Sequence, residues 1–218
     1  IGKLFSVKGP ILKIGYHSYY FDKISSIYVI GAGKASAAMA HYVECILGSH
    51  VKDGFVVTKY GHYCKLKRIR VLEAGHPVPD QNSFIASEEI LKIADKASEN
   101  DLVICLWSGG GSSLLSDFPE GSNPSEMAFF NEVLVNCGAN IEEINMIRKH
   151  LSKIKGGQLA RNISPASCVS VFLSDVPGDH METIASGPTV PDSSTFEEAL
   201  RILRDRQLVK DTPPPILK

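Results

Sequence analysis

The sequence predicts an α/β fold, a three-layer α/β/α arrangement with a mostly parallel, Rossmann-like sheet. Apolar runs with the length of buried strands alternate with stretches of helical periodicity, the pattern typical of parallel sheets covered by helices. Four glycine-rich or acidic loops come directly after predicted strands: GAGKAS at 31–36, GHPVPD at 75–80, SGGGSS at 108–113 and SDVPGD at 174–179. Ligands of such sheets bind beyond the carboxyl ends of the strands, so the four loops are expected to form one site.

The elements follow from residue periodicity, taken in chain order. A β-rich lead-in over residues 1–23 has a turn at Gly9-Pro10. Predicted strands follow over 24–30, 54–58, 68–73, 102–107 and 168–173. Predicted helices lie over 35–47, 83–97, 127–137, 141–154 and 197–206. Asn140 with Glu143 forms a capping-box pattern, and the glycine pair 156–157 predicts a helix stop.

The length of 218 residues fits a single α/β domain over 1–218, with 207–218 as a linker-like tail that contains three consecutive prolines. The chain begins with Ile1 instead of Met, which indicates a fragment of a longer protein. We therefore expect parts of the functional site to lie outside it.

Composition excludes several classes of partner. The formal net charge of −1, from 23 basic and 24 acidic residues, argues against a nucleic-acid-binding protein. No apolar stretch is long enough to predict a membrane span. The five cysteines are widely spaced and form no CxxC pair, as expected of reduced thiols in a cytoplasmic protein.

The loop SGGGSS carries the strongest functional signal. Three glycines let a ligand approach the main chain, and the first amides of a following helix have no internal acceptor and bind anions. We expect the phosphates of a nucleotide to bind at Ser108, Gly109, Gly110, Gly111, Ser112 and Ser113. The alternative is a tight strand-to-helix crossing in which the glycines serve packing alone.

The loop GAGKAS resembles a dinucleotide-binding turn only in part. Ser36 stands at the third glycine position, and the next strand ends in Thr58 and Lys59 where a ribose-binding acid is expected. Lys34 is a cation at a helix start, where the helix dipole disfavours it. It is explained either by an anionic ligand or as a solvated turn residue.

Further candidates come from two later motifs. Lys155, beside two glycines, is a candidate for neutralising a transferred phosphate, although a solvated basic helix end explains it equally well. Asp175 and Asp179 are candidate Mg²⁺ ligands, and Asp175 is a candidate catalytic carboxylate that could also deprotonate a hydroxyl. Turn formation is the alternative for both. His76 is a second-tier candidate, because histidine between glycine and proline is more often a turn residue.

The motifs YVIGAGKASAAMA, AGHPVPD, LWSGGGSSLL, INMIRKHLSKIKGGQLA and LSDVPGDHMETIASGPTVPD together resemble the type 2 glycerate kinase family, also called glycerate 2-kinase. The resemblance runs in order over residues 27–192. It implies transfer of the γ-phosphate of ATP to glycerate with Mg²⁺, with 2-phosphoglycerate as the favoured product. It also implies that this chain is the N-terminal domain, that Lys34 is functional, and that a C-terminal domain supplies the opposing wall.

Two other functions stay open at this point. GAGKAS keeps an NAD(P)-dependent hydroxypyruvate reductase in consideration, and a non-catalytic nucleotide-binding module is the second alternative. On the kinase interpretation we expect glycerate as the small-molecule partner, and little turnover from this chain alone. A homodimer is one possible oligomeric state.

Overall fold

The computed structural model describes residues 2–174, 178 and 180–217. Within them lie two sheets. The first is antiparallel, in the order β1-β2-β3, and is built from β1 (Phe5–Lys8), β2 (Ile11–Ile14) and β3 (His17–Tyr20). The second is parallel, in the order β6-β5-β4-β7-β8, and consists of β4 (Ile27–Ala32), β5 (Val51–Lys59), β6 (Ile69–Ala74), β7 (Leu102–Ser108) and β8 (Ser167–Leu173).

The helices of the described chain connect and cover these strands. They are α1 (Ser36–Leu47), α2 (Gln81–Lys96), α3 (Gly111–Leu114), α4 (Pro124–Asn136), α5 (Ile141–His150), α6 (Gln158–Ile163) and α7 (Phe196–Asp205). Short 3-10 helices lie at Phe21–Lys23, Gly48–His50, Ile184–Ser186 and Pro214–Ile216. No helix of the described residues has the length and apolar character needed to span a membrane.

The strand order places a reversal at the centre of the parallel sheet. From β4 the chain proceeds to β5 and β6 on one side, whereas β7 and β8 lie on the other. Gly31 of β4 is paired with Val56 of β5 and with Leu106 of β7, so the carboxyl ends of the three strands lie within two residues of one another. In sheets of this type a crevice opens where the strand order reverses. The turns after β4 and β7 flank that crevice.

The two faces of the parallel sheet bury separate apolar cores. On one face Ile30, Val103 and Trp107 pack with α2 and α6. On the opposite face Val29 and Ile104 pack with α1 and with the antiparallel sheet. Strand β7 is buried along its whole length, as expected of a parallel strand with covered faces. The predicted three-layer α/β/α fold is therefore confirmed.

A third apolar cluster lies among helices α4, α5 and α7, where Phe130, Ile147 and Leu203 are its central residues. Both α4 and α5 begin with capping boxes, and the Asn140–Glu143 pair is the one that the sequence predicted. These helices share an apolar cluster of their own, separate from the two cores of the sheet.

The predicted helix over 141–154 ends earlier, at His150. The Ser152 hydroxyl oxygen accepts from the amides of Ile154 and Lys155, at 3.1 and 2.9 Å, and Asp117 accepts the amide of Lys153. These side-chain acceptors replace the helical carbonyls. Gly157, with φ of +81°, instead precedes α6, a short helix that the sequence analysis did not predict.

Candidate functional site

The turns that follow β4 and β7 are bonded to each other. The Lys34 amide donates to the Gly109 carbonyl at 2.9 Å, and the Ala35 amide donates to the Ser108 hydroxyl oxygen at 3.0 Å. Gly33 has φ of +130°, and a Cβ placed on it would lie 2.1 Å from Ser108 Oγ and 2.4 Å from the Ser108 carbonyl oxygen. Only glycine permits this approach. Ser108 is thus a structural contact between the turns.

The amides of the turn that leads into α1 are bonded within the protein. The Gly33 amide donates to the Val57 carbonyl at 3.2 Å, and the Ser36 amide donates to the Gly33 carbonyl at 3.0 Å. With Lys34 and Ala35 bonded as above, four successive amides are satisfied by protein oxygens. A dinucleotide pyrophosphate binds to the amides of this first turn. The geometry therefore disfavours nicotinamide dinucleotide binding here.

The side chains of His76 and Lys34 lie against the turn after β7. Gly110 has φ of +84°, and a Cβ added there would lie 2.8 Å from Cδ2 and Nε2 of His76 and 3.2 Å from Cε of Lys34. Three loops, after β4, β6 and β7, thus converge on one backbone position. The predicted convergence of Lys34 with the glycine-serine turn is present, and His76 joins it. The sequence analysis found His76 in the GHPVPD loop after a predicted strand, and treated it as a second-tier candidate because it lies between a glycine and a proline.

Hydrogen bonds support the loops that carry these side chains. The Lys34 carbonyl accepts from His62 Nδ1 at 3.0 Å and from the Thr58 hydroxyl at 3.3 Å. Asp80 caps α2 and accepts the Tyr60 hydroxyl at 2.8 Å. Burial raises the pKa of Asp80. Hydrogen bonds from the Tyr60 hydroxyl and from backbone amides lower it by more than burial raises it, so the pKa lies below the usual value. Asp80 is therefore a fixed, charged anchor for the His76 loop.

A strained turn packs against the far side of the glycine turn. Ala185 and Ser186 have φ of +52° and +60°, the left-handed region that non-glycine residues rarely adopt. A Cβ on Gly111 would lie 2.5 Å from Cβ of Ala185, and the Ser112 and Ser186 hydroxyl oxygens lie 2.8 Å apart. Such strain persists where surrounding contacts hold it, and it clusters at functional sites.

The serine hydroxyls of the turn are occupied within the protein. Ser112 is bonded to Ser186, the Ser113 hydroxyl donates to the Gly110 carbonyl at 3.2 Å, and Ser108 accepts from Ala35. The predicted phosphate-binding function of the turn therefore depends on its main chain. The first amides of α3 are the available donors, because helix starts lack internal acceptors.

Lys155 is buried, and its ammonium is bonded within the protein. Its ammonium donates to the Leu115 carbonyl at 2.6 Å and lies 3.7 Å from Asp117 Oδ1, and its side chain is 8% exposed. Burial lowers its pKa, and Asp117 opposes that shift. The structure thus places the Lys155 ammonium on the main chain just after α3, and its role at a transferred phosphate stays a prediction.

The remaining candidates, Asp175 and Asp179, lie outside the described residues. Among the residues that are described, no group of three or more His, Cys, Asp or Glu side chains could hold a metal ion. The Mg²⁺ prediction stays a prediction.

Two described cavities lie elsewhere. One, of about 380 Å³, adjoins the amino ends of β4 and β5, beside Phe21, Ser26 and Arg68. The other, of about 730 Å³, lies between α5, α6 and the segment before α7. Near it Ser194 Oγ lies 3.1 Å from Nε2 of His150, and Asp192 Oδ2 lies 3.8 Å from the same nitrogen. A hydrolase triad needs the carboxylate at the opposite ring nitrogen, so this cluster is not one.

Comparison with known proteins finds a matching family model and several related proteins. A family model described as "Domain of unknown function (DUF4147)" matches residues 7–218. A protein of Pyrococcus horikoshii named glycerate 2-kinase is 46% identical over 90% of this chain and 44% of its own length. A protein of Agrobacterium vitis with a provisional hydroxypyruvate reductase name is 48% identical over 80% of this chain and 40% of its own length.

The fold is matched by a crystal structure described as glycerate kinase from Thermotoga maritima. The TM-score is 0.82 at 41% identity, over 91% of this chain and 49% of that one. The chain thus spans about half the length of the relatives that it matches.

Proposed function

The chain belongs to the DUF4147 family, and we propose that it forms the N-terminal half of an ATP-dependent glycerate kinase. The observation that carries this proposal is the convergence of Lys34 with the main chain of Gly110 at the carboxyl edge of the sheet. Phosphoryl transfer requires positioning and charge stabilisation above all. A fixed lysine next to a glycine turn at a helix start supplies both.

In this proposal the main chain of the glycine-serine turn binds the phosphates of ATP, and Lys34 neutralises charge on the transferred group. Lys34 is exposed and forms no ion pair within the described residues. Its backbone is fixed by three hydrogen bonds, so binding of an anion has to order only the side chain.

Mg²⁺ and the catalytic carboxylate belong to the proposal as predictions from sequence. Asp175 and Asp179 follow β8, whose carboxyl end lies at the same edge as the glycine turn. In this proposal Asp175 and Asp179 would hold Mg²⁺, and the ion would supply positive charge that neutralises the phosphates. Glycerate is the proposed acceptor, 2-phosphoglycerate the favoured product, and the cytoplasm the proposed location.

The hydroxypyruvate reductase alternative has a matching name among the relatives. The amides of residues 33–36, in the turn that leads into α1, argue against it, since all four are bonded within the protein. A phosphorus NMR assay with ATP, Mg²⁺ and D-glycerate separates the two, using this chain fused to the C-terminal half of the Thermotoga relative. We expect ADP and 2-phosphoglycerate.

The matched variants are Lys34→Gln and His17→Asn, the latter on the antiparallel sheet. We expect the first to lose at least tenfold in turnover and the second to retain it. Oxidation of reduced nicotinamide cofactor by hydroxypyruvate, without phosphate transfer, would overturn the kinase proposal. Unchanged turnover of Lys34→Gln would remove Lys34 from the mechanism.

A further inference from the structure

The cavity at the amino ends of β4 and β5 lies at the opposite edge of the sheet from the glycine-serine turn. We propose that this cavity binds the phosphate group of a small phosphorylated metabolite. Its volume is about 380 Å³, and three basic side chains line it, those of His50, Lys52 and Arg68. We call it the amino-edge recess. Strand β4 spans six residues, so about 20 Å separates the two edges, and the proposed kinase site does not depend on this recess.

Arg68 brings a guanidinium group that the protein uses only in part. Its backbone amide donates to Oε1 of Glu44 at 2.7 Å, and its Nη1 donates to the Val51 carbonyl oxygen at 3.4 Å. The remaining guanidinium N–H groups have no acceptor among the residues that the structure describes. Arginine carries five N–H donors in a planar fork that matches two oxygens of a phosphate. Most donors of Arg68 are therefore left for a ligand.

His50 and Lys52 border the same recess. The His50 ring is stacked on Phe21, with ring centroids 3.8 Å apart and an angle of 9° between the planes. This stacking fixes the plane of the imidazole, and neither ring nitrogen is bonded to a described residue. Lys52 is exposed and forms no ion pair within the part of the chain that is described. Two further nitrogen-bearing side chains are thus available to an anion.

Three serine hydroxyl groups complete the donor set. Ser25, Ser26 and Ser49 line the recess. The Ser25 amide donates to the Asn100 carbonyl at 2.8 Å, and the Ser26 carbonyl accepts from Leu102 at 2.9 Å, so the backbone of this wall is fixed. None of the three hydroxyl groups is bonded to another described residue. Serine hydroxyls in turns commonly bond to nearby backbone, and these three instead remain free to donate to a ligand.

The charge around the recess is positive. Of the described residues that line it, none is acidic. The adjoining elements carry Asp22, Glu44 and Asp53. Glu44 accepts three backbone amides, and Asp53 accepts the amide of the residue that follows it. No ion pair joins any of these carboxylates to Arg68 or Lys52 in the described structure. Two permanent positive charges therefore border the recess without a counter-charge.

The donor set favours a phosphate group over a carboxylate. A phosphate monoester carries a charge of about −1.5 to −2 at neutral pH and has three strong acceptor oxygens. Two permanent cations match that charge, and the guanidinium fork together with the serine hydroxyls matches the oxygens. Sites for small molecules occupy about 300–1,000 Å³, so a recess of about 380 Å³ also has room for a short carbon skeleton.

The test is an NMR titration of the chain that follows the His50 ring and the backbone amides of residues 49–52. Glycerol 3-phosphate, inorganic phosphate and D-glycerate are added separately at millimolar concentration. We expect both phosphate compounds to shift these signals, because the proposed contacts are to the phosphate group. D-Glycerate, which has a carboxylate and no phosphate, should bind at least about tenfold more weakly.

The same signals give the affinity of the recess in variants. Lys52→Gln removes a charge that makes no described contact, so the fold should be unaffected and binding of glycerol 3-phosphate should weaken about threefold. Arg68→Gln removes the guanidinium fork and should weaken binding about tenfold. The matched controls are Lys96→Gln and Arg201→Gln, which remove exposed basic residues on α2 and α7 and should bind normally.

The outcomes separate the recess from the proposed kinase site. Unmoved signals at 49–52 with glycerol 3-phosphate, or equal affinity in Lys52→Gln and Lys96→Gln, overturn the recess. Equal affinity for D-glycerate overturns the assignment to phosphate. Shifts at 109–113 alone leave the kinase proposal intact and remove the recess. Shifts at 49–52 that persist in Lys34→Gln support the recess, whether or not the glycine-serine turn responds.

Discussion

Replacement of Gly33 by alanine should separate the two turns that carry the candidate site. The added methyl group would lie 2.1 Å from Ser108 Oγ and 2.4 Å from the Ser108 carbonyl oxygen, both far inside van der Waals contact. The carbonyl is main chain in a fully buried strand, so it cannot move aside independently. The loop with Lys34 must therefore shift away from Gly109.

The expected loss of stability has two parts. A non-glycine residue at φ of +130° costs about 1–3 kcal/mol in backbone strain. The overlap with Ser108 adds about 1–3 kcal/mol, the usual cost of excess atoms in a packed interior. A combined loss of about 2–6 kcal/mol is a large fraction of the stability of a typical domain.

Urea unfolding measures this loss through the fluorescence of the single tryptophan, Trp107, which is fully buried in β7. Gly61→Ala is the control, because its φ of +80° brings strain and no atom lies within 4 Å. It should lose about 1–2 kcal/mol. If the two variants lost the same stability within about 0.5 kcal/mol, the close contact between the turns would be refuted.

Three further predictions concern other parts of the chain. Lys155→Met should destabilise the fold by about 1–3 kcal/mol, since it removes the cationic partner of Asp117, which keeps its bonds to the Ser152 hydroxyl and the Lys153 amide. The folded fraction should keep its affinity for ATP, and lost affinity without lost stability would return Lys155 to the phosphate site. Burial raises the pKa of Glu44, but hydrogen bonds from three backbone amides lower it by more, so the pKa lies below the usual 4.5. The stability that Glu44 contributes to the fold is therefore complete above pH 4.5 and is lost as the pH falls through the lowered pKa. Urea unfolding of Glu44→Gln from pH 7 to 3 should lack this part of the acid sensitivity, and a curve parallel to the parent would contradict it. A hydrogen bond from the Cys105 thiol, 3.6 Å away, lowers the pKa of Cys168, whereas burial raises the pKa of Cys105. Iodoacetamide should therefore label Cys168 before Cys105, and should label Cys168 more slowly in the Cys105→Ala variant. Labelling of Cys105 before Cys168 would contradict this.

The elements with buried apolar faces were predictable from sequence, because their apolar residues repeat with the period of a strand or a helix. Strand β7 was predicted over 102–107 and is observed as Leu102–Ser108, and the strand over 168–173 is observed as Ser167–Leu173. The short helices α3 and α6 were not predicted. Four or six residues beside glycines carry too little periodicity to distinguish a helical turn from a loop.

The candidate site was predictable where it depends on position after a strand, and not where it depends on long-range contacts. Lys34 and the glycine turn were placed at one edge because parallel strands end together. Lys155 has the same sequence signal as an exposed lysine, and the Leu115 carbonyl that holds it lies 40 positions away. Ser186 likewise contacts Ser112 across 74 positions, a pairing that no local pattern contains.

The hydrogen bonds that join the turns after β4 and β7 also bear on how this edge responds to a ligand. The Lys34 amide is bonded to the Gly109 carbonyl and the Ala35 amide to the Ser108 hydroxyl, so each turn holds the other in place. The turns lose their backbone conformational entropy when the chain folds, so ligand binding does not have to order them again. Ligand capture at this edge should therefore change side-chain mobility at Lys34 and leave the backbone order of both turns as it was.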